Sequence, residues 1–144
     1  MARLVFLVLL IPVPGHAFEL RGLSTPESFI VDPATGIYYI SNVNGEPKAK
    51  DNNGFIVKAD PSGKPIDLEF IKGGKNQVEL NAPKGLAISG NDLFVSDIDV
   101  VHRFDKSTGQ LLGTIDLKLL GAVFLNDVVA DPNGNIFVSD TFGN

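Results

Sequence analysis

Short apolar runs alternate with clusters of turn-forming residues along most of the chain. Apolar runs of three to six residues end at groups of Gly, Asn, Asp and Pro, a pattern typical of short strands joined into hairpins. Asp, Asn, Gly and Pro make up almost a third of the chain, and so many turn formers exclude a helical bundle and predict an all-β fold. The ten predicted strands are residues 26–31, 37–42, 54–59, 64–71, 83–88, 93–97, 100–104, 110–117, 125–130 and 136–140.

Three of the predicted hairpins are copies of one pattern. The second strand of each ends in an aromatic residue, a β-branched residue, Ser, and then Asp or Asn, at residues 39–42, 94–97 and 137–140. The last two copies are 43 residues apart, and a four-stranded propeller blade takes about 40–45 residues. We therefore predict a β-propeller of four-stranded blades. Blade 1 covers about 24–72, blade 2 about 82–118 and half of blade 3 about 125–144.

The predicted two and a half blades are too few for a closed ring. Propellers close with about 4–8 blades, and an open ring exposes apolar strand edges. We therefore expect the sequence to be the N-terminal part of a longer protein, and residues 18–144 alone to self-associate or to be poorly soluble. The alternative is a closed sandwich of ten strands, which the regular spacing of the hairpins does not favour.

Residues 1–17 have the three-part pattern of a secretory signal peptide. Arg3 supplies a positive start, residues 4–13 form an apolar run, and Gly15 and Ala17 place small residues before a cleavage site. The run is shorter than the ~20 residues of a membrane-spanning helix. We expect a mature protein that begins at Phe18 and is secreted or periplasmic, without a membrane segment. A buried N-terminal strand is the alternative.

Composition removes several classes of function. The net charge of -5 argues against nucleic acid as a partner, because phosphate binding needs clustered Lys and Arg. The absence of Cys excludes disulfides and thiolate zinc sites. After cleavage, His102 is the one remaining His, so a Ser-His-Asp triad is not predicted from these residues.

The repeat places three polar residues at the same position of three strands. Glu27, Lys84 and Asn126 each stand one residue into the first strand of their hairpin, which in a propeller is the innermost strand. We expect them to converge at the rim of the central channel. Carboxylate and amide oxygens are ligands of calcium, so Glu27 and Asn126 are candidate metal ligands. Lys84 either replaces a cation or pairs with Glu27. The alternative to a functional site is that all three residues are simply solvated at the starts of their strands.

Two further segments are expected near the rim. The polar segment 44–53 joins the second and third strands of blade 1, where it forms either a lid over the site or a plain insertion. Asp97 and Asp99 end a strand on the same side. Asp97 and Asp99 either line the rim or stabilise the turn between them.

The local motifs around these residues resemble one known family. Glu27-Ser28 stands 15 residues before Asn42, and Asn126-Asp127 is followed by an Asp-Pro-Asn-Gly turn at 131–134. Both features are similar to the calcium-dependent propellers of the senescence-marker-protein, gluconolactonase and luciferin-regenerating-enzyme-like family.

The resemblance implies a six-bladed propeller with a calcium ion in its channel. By the family pattern, Glu27 would hold the metal and Asn126 would contact the metal or the substrate. For a hydrolase we further expect Asp127 to act in catalysis by orienting its neighbour and Lys84 to contact the substrate. The family's other metal ligands come from later blades, beyond residue 144. Where the lactonases place an Arg shortly before the Asn-Asp pair, this chain has Phe124-Leu125.

Two functions are therefore expected from the sequence. The first is a calcium-dependent hydrolase of a small lactone or ester. The second is a non-catalytic propeller of the NHL type, which binds a ligand or a protein on its top face.

Overall fold

The computed structural model describes residues 17–143, which form ten strands and one short 3₁₀ turn at Lys118–Leu120. The signal-peptide prediction rests mainly on residues 1–16, which lie outside the described residues. Across the described part of the chain, no helix is long and apolar enough to cross a membrane. The strands are β1 Pro26–Val31, β2 Tyr38–Asn42, β3 Phe55–Ala59, β4 Pro65–Lys72, β5 Pro83–Ser89, β6 Asp92–Asp97, β7 Val100–Asp105, β8 Leu111–Asp116, β9 Leu125–Ala130 and β10 Ile136–Asp140.

The strands form three antiparallel sheets in chain order. Sheet 1 is β1-β2-β3-β4, sheet 2 is β5-β6-β7-β8, and sheet 3 is the pair β9-β10. Several hairpin turns begin with an Asp whose side chain organises the turn. The Oδ1 atoms of Asp60, Asp105 and Asp131 each accept hydrogen bonds of 2.8–3.0 Å from backbone N–H groups two to four residues later. This is the turn chemistry that Asp supplies, and it explains why the sequence pattern located the strands.

The three sheets pack face to face, with β1, β5 and β9 as neighbouring first strands. One apolar core lies between sheets 1 and 2 and includes Tyr39, Leu86 and Val95. A second core lies between sheets 2 and 3 and includes Phe94 and Val128. This arrangement confirms the predicted all-β propeller class, with two four-stranded sheets and one two-stranded sheet.

The Ser of the first and of the second repeated motif joins two first strands. Ser41 Oγ on β2 accepts from the backbone N–H of Ser28 at 3.0 Å and donates to the Lys84 carbonyl of the next sheet at 2.7 Å. Ser96 on β6 likewise donates to the carbonyl of Asn126 on β9. The same hydroxyl position therefore fastens sheet 1 to sheet 2 and sheet 2 to sheet 3.

The outer faces of the first and third sheets expose apolar side chains. On β1 Phe29 is 68% exposed, and on β10 Phe137 is 57% exposed. The physical reason is that no described residue packs over the side of β9 and β10 that faces away from sheet 2. On the side of β1 and β2 that faces away from sheet 2, only the segment 18–23 packs, and it covers part of the surface.

Candidate functional site

The structure places Glu27, Lys84 and Asn126 as the second residues of β1, β5 and β9, three neighbouring strands. Their exposure differs widely. Glu27 is exposed and Asn126 is half-buried, whereas Lys84 is only 2% exposed. The three positions are equivalent in the repeat, as the sequence predicted, but their surroundings are not.

Lys84 is a buried cation held by two contacts of its ammonium group. Its Nζ donates to the Ala82 carbonyl at 3.0 Å and lies 4.4 Å from the centre of the Phe124 ring. Burial lowers the pKa of Lys84, while the negative charges of Asp97 and Glu27 oppose that shift. A cation over an aromatic face, close to two acids, is a favourable arrangement for a buried ammonium group.

Glu27 experiences the charges of both neighbouring strands. Its pKa is raised, first because part of the side chain is desolvated and then because the Asp127 carboxylate is near, while Lys84 acts in the opposite direction. Asp127 is the exposed residue that follows Asn126 on β9. Glu27, Lys84 and Asp127 therefore form one electrostatic group, which we call the rim cluster together with Asn126.

The rim cluster fits a cation in part. The Asp127 carboxylate helps to raise the pKa of Glu27, so a cation bound near Glu27 would offset that repulsion. Asn126, the neighbour of Asp127 on β9, carries the amide oxygen that calcium could also take. Within residues 17–143, no three His, Asp or Glu side chains are grouped so that they could hold a metal ion. Calcium takes six to eight oxygens, so water or other protein groups would have to complete the shell.

The segment 44–53 reaches across the sheets to the rim. The Nζ of Lys48 lies 4.0 Å from the centre of the Phe142 ring and 5.1 Å from that of Phe124, and the two ring centres are 5.2 Å apart. Lys50 forms an ion pair of 2.5 Å with Asp99, which lies in the turn between β6 and β7. The segment therefore lies beside Lys84, because Lys48 and Lys84 both lie over the Phe124 ring.

The expectation that Asp97 lines the rim is wrong. It is fully buried, and its carboxylate accepts backbone N–H groups of Asn81 at 2.7 Å and of Ala82 at 2.8 Å. Its Oδ2 lies 3.5 Å from Nε2 of His102, whose Nδ1 lies 2.9 Å from Thr114 Oγ1. Burial alone would raise the pKa of Asp97, but these hydrogen bonds outweigh it and lower the pKa.

The closing Asp or Asn of each repeat has the same structural task. Asn42 Oδ1 accepts the backbone N–H of Ser24, and Asp140 accepts those of Val123 and Phe124. Each side chain thus fixes the segment that leads into the first strand of its own hairpin. The sequence revealed the motif, but not its partners, because these are backbone groups that carry no sequence signal.

Phe124 and Phe142 are the rim residues that the sequence analysis did not assign. They flank the third hairpin at its two ends, and their rings meet each other and the two lysines. The usable signal was their position, since Phe124 directly precedes β9 and Phe142 comes two residues after the end of β10.

Comparison with known proteins supports the fold. No family model matches the chain, and no curated protein matches it. Among solved structures, a chain of a nidogen/laminin complex matches with a TM-score of 0.62 and 19% sequence identity, over 83% of this chain and 40% of that one. At this identity the similarity shows the propeller fold alone, and this chain spans only 40% of the matched chain.

Two other solved structures are more distant. A glucose dehydrogenase matches with a TM-score of 0.46 and 14% identity, over 78% of this chain and 40% of that one. A gluconolactonase from Xanthomonas campestris matches with a TM-score of 0.37 and 16% identity, over 85% of this chain and 57% of that one.

Proposed function

We propose that the chain belongs to a secreted or periplasmic propeller of the gluconolactonase-like family, which hydrolyses a small lactone or ester with the help of a calcium ion at the channel rim. The observation that carries the proposal is the rim cluster. Three first strands contribute the charged residues Glu27, Lys84 and Asp127 to one electrostatic group, and Asn126 precedes Asp127 on β9. Perturbed ionisable groups that converge in this way are typical of functional sites.

The residues of the rim cluster would have distinct roles. Glu27 and Asn126 would hold the cation through a carboxylate and an amide oxygen. Asp127, which is exposed beside Asn126, would orient its neighbour or a water. When bound, the cation supplies polarisation of the substrate carbonyl and lowers the pKa of a bound water. Lys84 would stabilise negative charge on the substrate near Phe124.

A second function, a propeller that binds a ligand or a protein without catalysis, is favoured by the burial of Lys84. Its ammonium already supplies a positive charge beside Glu27 and can take the place of a bound cation. The nidogen/laminin complex, in which a propeller-type chain is bound to another protein, fits this alternative. Calcium dependence separates the two functions.

The first test changes Glu27 to Gln, which keeps the shape of the side chain and removes its charge. We expect Glu27→Gln to raise the calcium concentration needed for half-maximal lactone or ester hydrolysis by at least tenfold, worth about 1.4 kcal/mol. The chelator EGTA should abolish hydrolysis by the wild-type protein. Glu69→Gln, on the outer strand β4, removes the same charge far from the rim and is the matched control.

The second test removes the competing cation. If Glu27 serves calcium, Lys84→Ala should leave the calcium requirement unchanged or lower it, because a like charge has gone. Calcium affinity is measured by the rise in melting temperature at increasing calcium. A calcium requirement that rises in Lys84→Ala as much as in Glu27→Gln would contradict the proposed division of roles.

A further inference from the structure

A cavity of about 520 Å³ lies between the outer strand of sheet 1, β4, and the outer strand of sheet 2, β8. We call it the outer groove, and it is lined by Phe70, residues 76–78 and residues 108–111. Both walls belong to four-stranded sheets, and no residue of the rim cluster lines the cavity. Its volume lies within the range of about 300–1,000 Å³ that small-molecule sites occupy.

The outer groove combines exposed amides with apolar side chains. The amides are those of Asn76, Gln77 and Gln110, all exposed to solvent. The apolar side chains are those of Phe70, Val78 and Leu111. None of the described residues that line the groove carries a charge, so a charged ligand would lose water without gaining an opposite charge. Amides both donate and accept hydrogen bonds, which suits a neutral ligand with many hydroxyl groups.

The turn that carries two of these amides has a strained backbone. Asn76 and Gln77 both have left-handed backbone conformations, with φ of 50° and 62°. Asn adopts this conformation fairly often, whereas Gln does so rarely. The turn is held by the backbone N–H of Gly74, which donates to the Val78 carbonyl at 2.9 Å. Backbone strain of this kind is concentrated at ligand-binding and other functional sites.

The opposite wall is held firmly against sheet 1. Lys58 Nζ donates to the Ser107 carbonyl at 3.0 Å and lies 4.4 Å from the centre of the Phe70 ring. The β7-β8 turn also approaches β4 closely, because a Cβ on Gly109 would lie 2.9 Å from the Phe70 carbonyl oxygen. The outer groove is therefore already formed in the folded chain, so a ligand would not have to order its walls.

We propose that the outer groove binds a neutral saccharide, at a site separate from the rim cluster. The hydroxyl groups of the sugar would exchange hydrogen bonds with the amides of Asn76, Gln77 and Gln110. The C–H groups of its ring would pack on the apolar side chains of the groove. The few convergent polar groups would fix the orientation of the ligand, and the apolar side chains would supply contact area.

NMR titration of the ¹⁵N-labelled full-length protein with glucose, galactose and mannose tests the proposal. EGTA is present throughout, so the result does not depend on a cation at the rim or on hydrolysis. At least one sugar should shift the side-chain amide signals of Asn76, Gln77 and Gln110 in a saturable manner. The corresponding uronate, which carries a carboxylate in place of the terminal CH₂OH group, should bind about fivefold more weakly or worse.

Two variants distinguish binding by the amides from a structural role. Gln110→Leu should weaken sugar binding about fivefold, the loss expected for one hydrogen bond. The matched control is Lys64→Leu, at the equivalent turn position of sheet 1, where the carbonyl likewise accepts an Asp N–H at 2.9 Å. Gln77→Gly removes an amide but suits the left-handed backbone, so it should weaken binding without lowering the melting temperature.

Four results would overturn the proposal. The first is the absence of a saturable shift with any of the three sugars. The second is a set of shifts confined to the rim cluster, which would place the sugar at the other site. The third is a uronate that binds as tightly as its neutral sugar. The fourth is wild-type affinity in both Gln110→Leu and Gln77→Gly.

Discussion

Replacing Asp97 by Ala should lower the free energy of unfolding by about 3 kcal/mol, the largest effect expected of a single substitution here. The change leaves the backbone N–H groups of Asn81 and Ala82 buried without an acceptor, and each such group costs about 1–3 kcal/mol. It also removes the acid next to His102. Urea unfolding followed by circular dichroism measures the effect.

Two variants distinguish this hydrogen-bonding role from a general loss of packing. Asp97→Asn keeps one acceptor oxygen, as Asn42 does naturally in the first repeat, and should cost less than Asp97→Ala. Asp140→Ala removes the equivalent acid of sheet 3, where Val123 is half exposed and water can replace the lost oxygen, so we expect about 1 kcal/mol. Equal losses for Asp97→Ala and Asp97→Asn would contradict the role of the second oxygen.

The same carboxylate predicts how stability depends on pH. The pKa of Asp97 is lowered in the folded protein from its ordinary value of 3.8. A lowered folded pKa means that the stabilisation is fully present above the unfolded pKa and is lost as the pH falls through the lower folded value. The stability difference between the wild-type protein and Asp97→Asn should therefore hold at pH 7 and shrink below about pH 4.

Replacing Gly85 by Ala should also destabilise the fold, by about 1–3 kcal/mol. A Cβ on Gly85 would lie 2.6 Å from the Asn126 carbonyl oxygen, 2.6 Å from the Val128 nitrogen and 2.8 Å from the Asp127 Cα. All three atoms belong to the backbone of β9, so only separation of β5 from β9 makes room. The substitution would loosen the sheet contact on which the rim cluster depends.

Gly113 on β8 is the matched control for Gly85, because a Cβ there meets no atom within 4 Å. Gly113→Ala should be neutral or slightly stabilising, since Gly in a strand interior costs conformational entropy. The denaturation midpoints of the two variants in urea give the comparison. Equal midpoints for Gly85→Ala and Gly113→Ala would show that close approach of β5 and β9 is not required.

The ten strands could be predicted because the signals that define them are local. The turn at Asp105 illustrates this. One side chain accepts the hydrogen bonds that reverse the chain, so the residue type alone indicates the turn. The predicted fourth strand of blade 2, residues 110–117, is observed as Leu111–Asp116. The all-β class and the propeller type were therefore accessible from the sequence.

The site was accessible only in part, because burial depends on residues that are distant in sequence. Alignment of the repeats placed Glu27 and Lys84 at equivalent positions of their strands, and in the structure the two charges act on each other. The sequence did not indicate that Phe124 covers the Lys84 ammonium, or that Asp97 turns inward to bind backbone N–H groups. These features come from packing between sheets, which has no local pattern.

Calorimetric titration of calcium into the full-length wild-type protein and into Glu27→Gln, at one pH and one ionic strength, tests the central claim most directly. The proposed site predicts saturable binding to the wild-type protein and an affinity at least tenfold weaker in Glu27→Gln, with Glu69→Gln like the wild type. Identical isotherms for the wild type and Glu27→Gln, or no binding to either, would contradict a cation at the rim and favour Lys84 as the permanent partner of Glu27.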